Sequence, residues 1–235
     1  MKAGILAAGE GSRLQQEGRR VLKPLLEIGG KSLIQRTIEN LHAAGAEEIH
    51  VIVNEDSVEV RDRVLAQPLP VPVRFVIRST LSSMHSLLVL RPFFEGREAL
   101  VSMVDSVLPP GELPALVARA RARRRSDGTL ALTSFVDDEK PLCVRMTSDR
   151  ITTLGTSLPG ARWVTAGIYY FTPRVWPELD RAQELGVSRM RNFLGHLVDA
   201  GFRLHGHRLP KTVDVDRPGD VRAAEEYLAL WERKE

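Results

Sequence analysis

Apolar and polar positions follow two periods along this 235-residue chain, and the changes of period predict its elements. Residues 2–7, Lys-Ala-Gly-Ile-Leu-Ala, are short, apolar and bounded by glycine, the pattern of a buried strand. From Ser32 the apolar positions Leu33, Ile34, Ile38, Leu41 and Ala44 recur at helical spacing, and Gly45 is placed as a stop. Residues 48–53 predict a second strand, so the opening is strand, loop, helix, strand: a parallel βαβ unit. The pattern repeats with a helix over 58–65 before Pro68 and a β-branched strand over 71–77. A serine-capped helix over 82–90 and a strand over 99–104 come next. Pro109, Pro110 and Gly111 break the chain before a helix over 113–125 with an arginine-rich outer face.

The second half changes character. A strand is predicted over 129–135, an antiparallel hairpin from 143–146 and 151–154 around Thr147–Arg150, and a longer strand over 163–171. Helices over 173–184 and 187–200, a strand over 202–209, an extended run over 211–216 and a closing helix over 221–233 complete the chain. No repeat, low-complexity tract or Pro/Gly/Ser linker interrupts it. The expectation is one compact domain, residues 1–235: an α/β, Rossmann-like three-layer sandwich with a mixed, mainly parallel central sheet and a small β-rich region laid against it.

Composition narrows the classes. Hydrophobic content of 43% and charged content of 27% are those of a soluble globular protein. No apolar run reaches the roughly 20 residues that span a bilayer, and no charged leader with an apolar core suggests a signal peptide. The net charge of +3 fits an anionic small molecule and does not by itself point to nucleic acid. Cys143 is the single cysteine, so an internal disulfide is impossible and a reduced, cytoplasmic setting is expected.

The candidate chemistry begins at the first turn. Ala8-Gly9-Glu10-Gly11-Ser12-Arg13-Leu14 combines small residues, which let backbone N–H groups approach an anion, with a guanidinium, and Lys23-Pro24 follows. The loop reads as a phosphate holder. A dinucleotide fingerprint needs a third glycine where Leu14 stands, and Glu55 and Asp56 are weak candidates for its ribose carboxylate. A Walker loop fails on spacing, although Gly30-Lys31-Ser32 mimics its end.

The run Leu6 to Leu14 with Lys23-Pro24 resembles the signature of the nucleotidyltransferases that couple NTPs to sugar phosphates and related phosphate monoesters. Gly30 to Ile34, Asp105 at a strand end, Val164 to Tyr169 and Val213 to Asp220 match further segments of that family in order, so the resemblance covers essentially the whole chain. It implies the small stand-alone type, similar to phosphocholine or inositol-phosphate cytidylyltransferases. The implied reaction is Mg²⁺-dependent transfer of NMP from an NTP, CTP or UTP favoured, to a sugar-, polyol- or aminoalcohol-phosphate, with release of pyrophosphate. The implied nucleotide contacts are Leu6, Ala7, Ala8, Gly9, Gly11, Ser12 and Ser83; the catalytic cations are Arg13 and Lys23. The implied metal ligands are Asp105 with Asp216 or Asp214, hard oxygen donors of the kind Mg²⁺ takes. Ala166, Gly167, Arg189 and Lys211 fall on the acceptor side, with Arg191 an alternative to Arg189. No nucleic acid or membrane partner is implied, and the chain would be a monomer or homodimer.

Each assignment has a plainer alternative. Ser82 alone could cap its helix, Asp105 could be a turn residue, and Asp216 could cap the last helix with Asp220 as its rival. His85 reads as a structural helix residue, His205 and His207 as surface residues, Cys143 as inert. Arg119, Arg121, Arg123, Arg124 and Arg125 read as a solvated helix face. Rival functions are a catalytically silent nucleotide-binding regulator of the same fold and an NAD(P)-dependent oxidoreductase.

Overall fold

The computed structural model describes residues 1–9, 22–134 and 141–232. The chain opens with β1 (Lys2–Ala7), followed after a short 3-10 turn at Lys23–Leu25 by the hairpin β2 (Glu27–Ile28) and β3 (Lys31–Ser32). Gly29 and Gly30, at φ +55° and +72°, supply the two left-handed residues that this tight turn needs. The hairpin was not expected, although Gly-Gly between two short runs was its signal. Helix α1 (Leu33–Ala43) starts with a capping box: Gln35 N donates to Ser32 Oγ at 3.3 Å and Ser32 N to Gln35 Oε1 at 3.1 Å.

The parallel run continues with β4 (Glu48–Val53), α2 (Val58–Leu65), β5 (Val73–Ile77), α3 (Ser83–Leu90) and β6 (Ala99–Met103). After β7 (Ser106–Val107) and α4 (Glu112–Ala122), β8 (Gly128–Thr133) precedes the hairpin of β9 (Cys143–Thr147) and β10 (Arg150–Gly155). The chain ends with β11 (Trp163–Phe171), α5 (Val175–Glu184), α6 (Met190–Asp199), β12 (Leu204–Arg208), β13 (Val213–Asp214) and α7 (Pro218–Glu232).

One nine-stranded sheet runs through both halves in the order β5-β4-β1-β6-β11-β8-β12-β10-β9. Its parallel character is confined to β5-β4-β1-β6 and to the β8–β12 pair; β11 enters antiparallel to both β6 and β8. The sheet is mixed, as expected, with β11 and β10 running against the other strands. Because β11 also pairs with β9 through Trp163 and Val164, strands β11, β8, β12, β10 and β9 form a closed circuit.

Alternation along the strands builds two cores, which makes the three layers. Ala3, Ile5, Ile49, Val51 and Leu100 face α1, α2, α4 and α7; Leu6, Ile52, Val101, Tyr169 and Phe171 face α3, α5 and α6. Trp176, Phe94, Phe171 and Phe193 are fully buried on the second side and stack edge-on or tilted within about 7 Å. Among the described residues no helix is long and apolar enough to cross a membrane.

Candidate active site

The site lies where β1 and β6 both end. They run parallel, with Leu6 opposite Met103, so the loop after Ala7 and the residues after Met103 emerge side by side, where ligands bind in open α/β sheets. Asp105 occupies this end. The pair β7–β13 brings the late acidic segment to it: Val213 sits opposite Val107, Asp214 opposite Ser106, and Val215 N donates to Asp105 O at 3.1 Å. Carboxylates more than a hundred residues apart in sequence are thus stitched together by backbone hydrogen bonds.

Lys23 completes the arrangement. Pro24 locks φ in the short turn that carries it. Its Nζ lies 2.6 Å from Asp105 Oδ2 and 2.5 Å from Asp216 Oδ1, with only 11% of the side chain exposed. Burial pulls its pKa down, but Asp105 and Asp216 more than offset that, so the ammonium is held more firmly charged than a free lysine. Asp214 is open to solvent yet closely surrounded by protein atoms. That burial and the neighbouring Asp105 push its carboxyl up to about 7, with Asp216 adding to the rise and Ser106 and Lys23 opposing it. Ser106 Oγ is 3.0 Å from Asp214 Oδ1 and 3.1 Å from Ala166 O. Its single proton serves one of these acceptors at a time, so an Asp214 that carries a proton can donate to Ser106 in turn.

One feature of the site, Asn54, was missed in the sequence, and two were named there in other roles, Asp220 as a rival helix cap and Gly167 as an acceptor-side residue. Asn54, closing β4 at the same end of the sheet, donates from Nδ2 to Ala8 O at 3.4 Å and Gly9 O at 3.3 Å, pinning the start of the first-turn loop. Its signal was its place at the carboxyl end of a parallel strand. Asp220 Oδ2 accepts from Asp216 N at 2.8 Å and Arg217 N at 2.6 Å, so it holds the turn that presents Asp216. A bulge in β11 between Thr165 and Tyr169 points Gly167 at Met103 and Ser106: a Cβ there would stand 2.9 Å from Met103 Cγ and 3.0 Å from Ser106 Oγ, and φ is +69°.

The remaining candidates are placed as follows. Gly11, Ser12 and Arg13 lie outside the described residues. Leu6, Ala7 and Ala8 are buried in the two cores, so only their backbones can face a nucleotide. Gly9 is exposed, and among the described residues nothing lies within 4 Å of its Cβ position. Ser83 opens α3, while Ser82 caps it, accepting from His85 N at 3.3 Å and donating to Ser188 O at 2.5 Å. Ala166 is fully buried, so its side chain cannot line an acceptor pocket; Gly167 is small because β11 packs against Met103 and Ser106. Arg189 is exposed and extended, one residue before α6 rather than inside it. Arg191 is in α6, and its charge acts on the buried Tyr169 hydroxyl together with those of Asp214 and Asp105. Lys211 Nζ stands 5.3 Å over the Tyr227 ring.

Two surface readings are corrected. His207 is 3% exposed, and burial holds its pKa down to about 4; His205 is half-buried and pairs with Ser126 Oγ at 2.9 Å. The arginine face is partly tied down, Arg121 by Glu98 and Arg123 by Asp149.

Among the described residues, no three acidic, histidine or cysteine side chains converge as a ready-made metal cage. Mg²⁺ is commonly held by one or two carboxylates, with water and phosphate oxygens completing its shell. Asp105 and Asp216 already grip one cation, the Lys23 ammonium, and so fit that requirement.

The chain resembles known proteins along most of its length. The MobA-like NTP transferase domain matches residues 3–200. The chain is 30% identical over 97% of its length to a bifunctional IPC transferase and DIPP synthase of Rubrobacter xylanophilus. It is 26% identical over 96% of its length to the CMP-5'-(3-aminopropyl)phosphonate synthase of Streptomyces rubellomurinus. It spans 52% and 38% of those two proteins. The inositol-1-phosphate CTP transferase of T. maritima shares its fold, with a TM-score of 0.80 over 97% of both chains at 21% identity.

Proposed function

Because the chain belongs to the family of MobA-like NTP transferase domains, we propose that it is a Mg²⁺-dependent nucleotidyltransferase acting as one catalytic domain over residues 1–235. An oxygen of a phosphate monoester attacks the α-phosphorus of an NTP; the bond from that phosphorus to the bridging oxygen breaks, and pyrophosphate leaves. Two polyanions must meet, so the protein's work is positioning and neutralisation. Backbone N–H groups around Gly9 and Gly11 hold the triphosphate, Arg13 clamps its outer phosphates, and Lys23 stabilises charge at the α-phosphate. Asp105 and Asp216, with Asp214 alongside, would hold the divalent ion, which would supply further neutralisation of the phosphates. Ser83 faces the nucleotide; the backbone about Ala166 and Gly167, with Arg189 or Arg191 and Lys211, serves the acceptor.

The convergence of Lys23, Asp105 and Asp216 at the carboxyl end of β1 and β6 carries this reading. CTP and UTP are the favoured donors, CTP first in view of the relative named as a CMP-5'-(3-aminopropyl)phosphonate synthase. Acceptors are a polyol, aminoalcohol or sugar phosphate. The single cysteine and the NTP requirement fit a cytoplasmic monomer or homodimer.

The test is a matrix of five NTPs against inositol phosphate, phosphocholine, sugar 1-phosphates and an aminoalkylphosphonate, read as pyrophosphate release with Mg²⁺. One pair should dominate, and Asp105→Asn should abolish its turnover while the protein stays folded. Silence across the matrix with NTP still bound would instead mark a nucleotide-binding regulator.

A further inference from the structure

In the ligand-free chain the acidic pair is already occupied, by the chain's own cation. Lys23 Nζ takes one oxygen from each carboxylate, Asp105 Oδ2 and Asp216 Oδ1, at 2.6 and 2.5 Å. Mg²⁺ binds oxygens at about 2.0–2.1 Å, so an ion on either of these oxygens would lie within about 5 Å of the ammonium. A doubly and a singly charged cation in so confined a space, with Lys23 11% exposed, repel strongly. The Lys23 backbone is fixed, because Pro24 beside it is buried and the turn is closed by Leu25 N to Leu22 O and Leu26 N to Lys23 O, so its ammonium leaves the carboxylates only by rotation of its own side chain.

We propose that Lys23 is an internal counter-cation that holds the divalent site shut until a polyphosphate draws its ammonium off the carboxylates. The same lysine then has two successive partners, Asp105–Asp216 in the free protein and a phosphate oxygen in the loaded one, and it sets the order of entry: polyphosphate with or before the metal, never metal alone. This rests on the nucleotidyltransferase reading for its second partner, but its first half concerns only the metal-binding behaviour of the unliganded chain.

The experiment is a titration with Mn²⁺ alone, without nucleotide, followed by the electron paramagnetic resonance of free Mn²⁺. Wild type should bind weakly. Lys23→Met, which keeps the length and removes the charge, should bind Mn²⁺ on the order of tenfold more tightly or better. Lys23→Arg, which restores a cation, should remain weak. Adding Asp105→Asn to Lys23→Met should abolish the gained binding and locate it. A thermal melt of each variant in the absence of metal separates these effects from misfolding. Equal Mn²⁺ affinity in wild type and a folded Lys23→Met overturns the inference, as does a gain that survives Asp105→Asn. The two readings fail separately. Tightened Mn²⁺ binding with no turnover for any NTP–acceptor pair keeps the counter-cation and removes the enzyme; turnover with unchanged Mn²⁺ affinity does the reverse.

Discussion

Two glycines at the site are glycine for opposite reasons. Gly167 has φ +69° and no room for a methyl beside Met103 and Ser106, so the protein itself demands it. Gly167→Ala should destabilise the fold by about 2–4 kcal/mol, measured by urea unfolding, because backbone strain and overpacking add. Gly9 has open space among the described residues and no positive φ, so Gly9→Ala should change stability by no more than about 0.5 kcal/mol while weakening NTP binding. Equal stability losses in the two variants would remove the distinction. Sequence pattern marked both as small residues but could not separate them, since the bulge that aims Gly167 inward depends on strands paired across the sheet. Two buried histidines carry a different consequence. His50, 2% exposed and stacked 4.2 Å from Phe93, is held at a pKa of about 4 by burial and by Lys2 and Arg74; Glu48, 3.4 Å away, is already shared between those two cations. His207 is held at about 4 by burial with Arg119 and Arg123. Both pKa values are depressed from 6.5, so the unfolded chain binds more protons between pH 6.5 and 4. The stability each neutral ring contributes is complete above pH 6.5 and lost as pH falls towards 4, on the order of 2–3 kcal/mol apiece. His50→Phe should flatten the decline in urea midpoint between pH 7 and 4.5; an unaltered slope would show that His50 does not titrate in this range.

At the level of elements, the site depends on how its segments are held more than on the segments' own stability. Strands β7 and β13 have two residues each, too few to persist alone, and are held as a pair between β11 and α7. The turn between β13 and α7 is closed by Asp220, whose Oδ2 takes the N–H groups of Asp216 and Arg217. Asp220→Ala should cost about 1–2 kcal/mol in stability, as loss of a helix-start acceptor does. By letting Asp216 drift it should also lower turnover by about tenfold. Asp220→Asn, which keeps an acceptor oxygen, should recover most of both. Loss of stability with turnover intact would make Asp220 a structural cap and nothing more. The longer elements were legible from periodicity: β1, β4, α2 and β11 fall where the pattern put them, since each is a long enough run to bury a face. The short strands at the site were not, because a two-residue strand has no period to read.

Across the whole molecule, order along the chain and position in space diverge most where chemistry is expected. The α/β class and three layers follow from local alternation, and both were legible. The β11 insertion, antiparallel between β6 and β8, was not, because strand order is decided by which apolar faces meet after collapse. Lys23, Asp105 and Asp216 could each be suspected alone, but their meeting could not be read from spacing. The β7–β13 junction also bears on how the chain folds. It joins residues 106 positions apart, Val107 and Val213, so its closure carries a large loop-entropy cost and must await the strands between them. A nascent chain can complete β1, α1 and β4 and still hold no paired acidic site until the segment that carries β13 emerges. The meeting of Asp105 with Asp216 is therefore a late event in the folding of these residues, set by the same two-residue strands that align them.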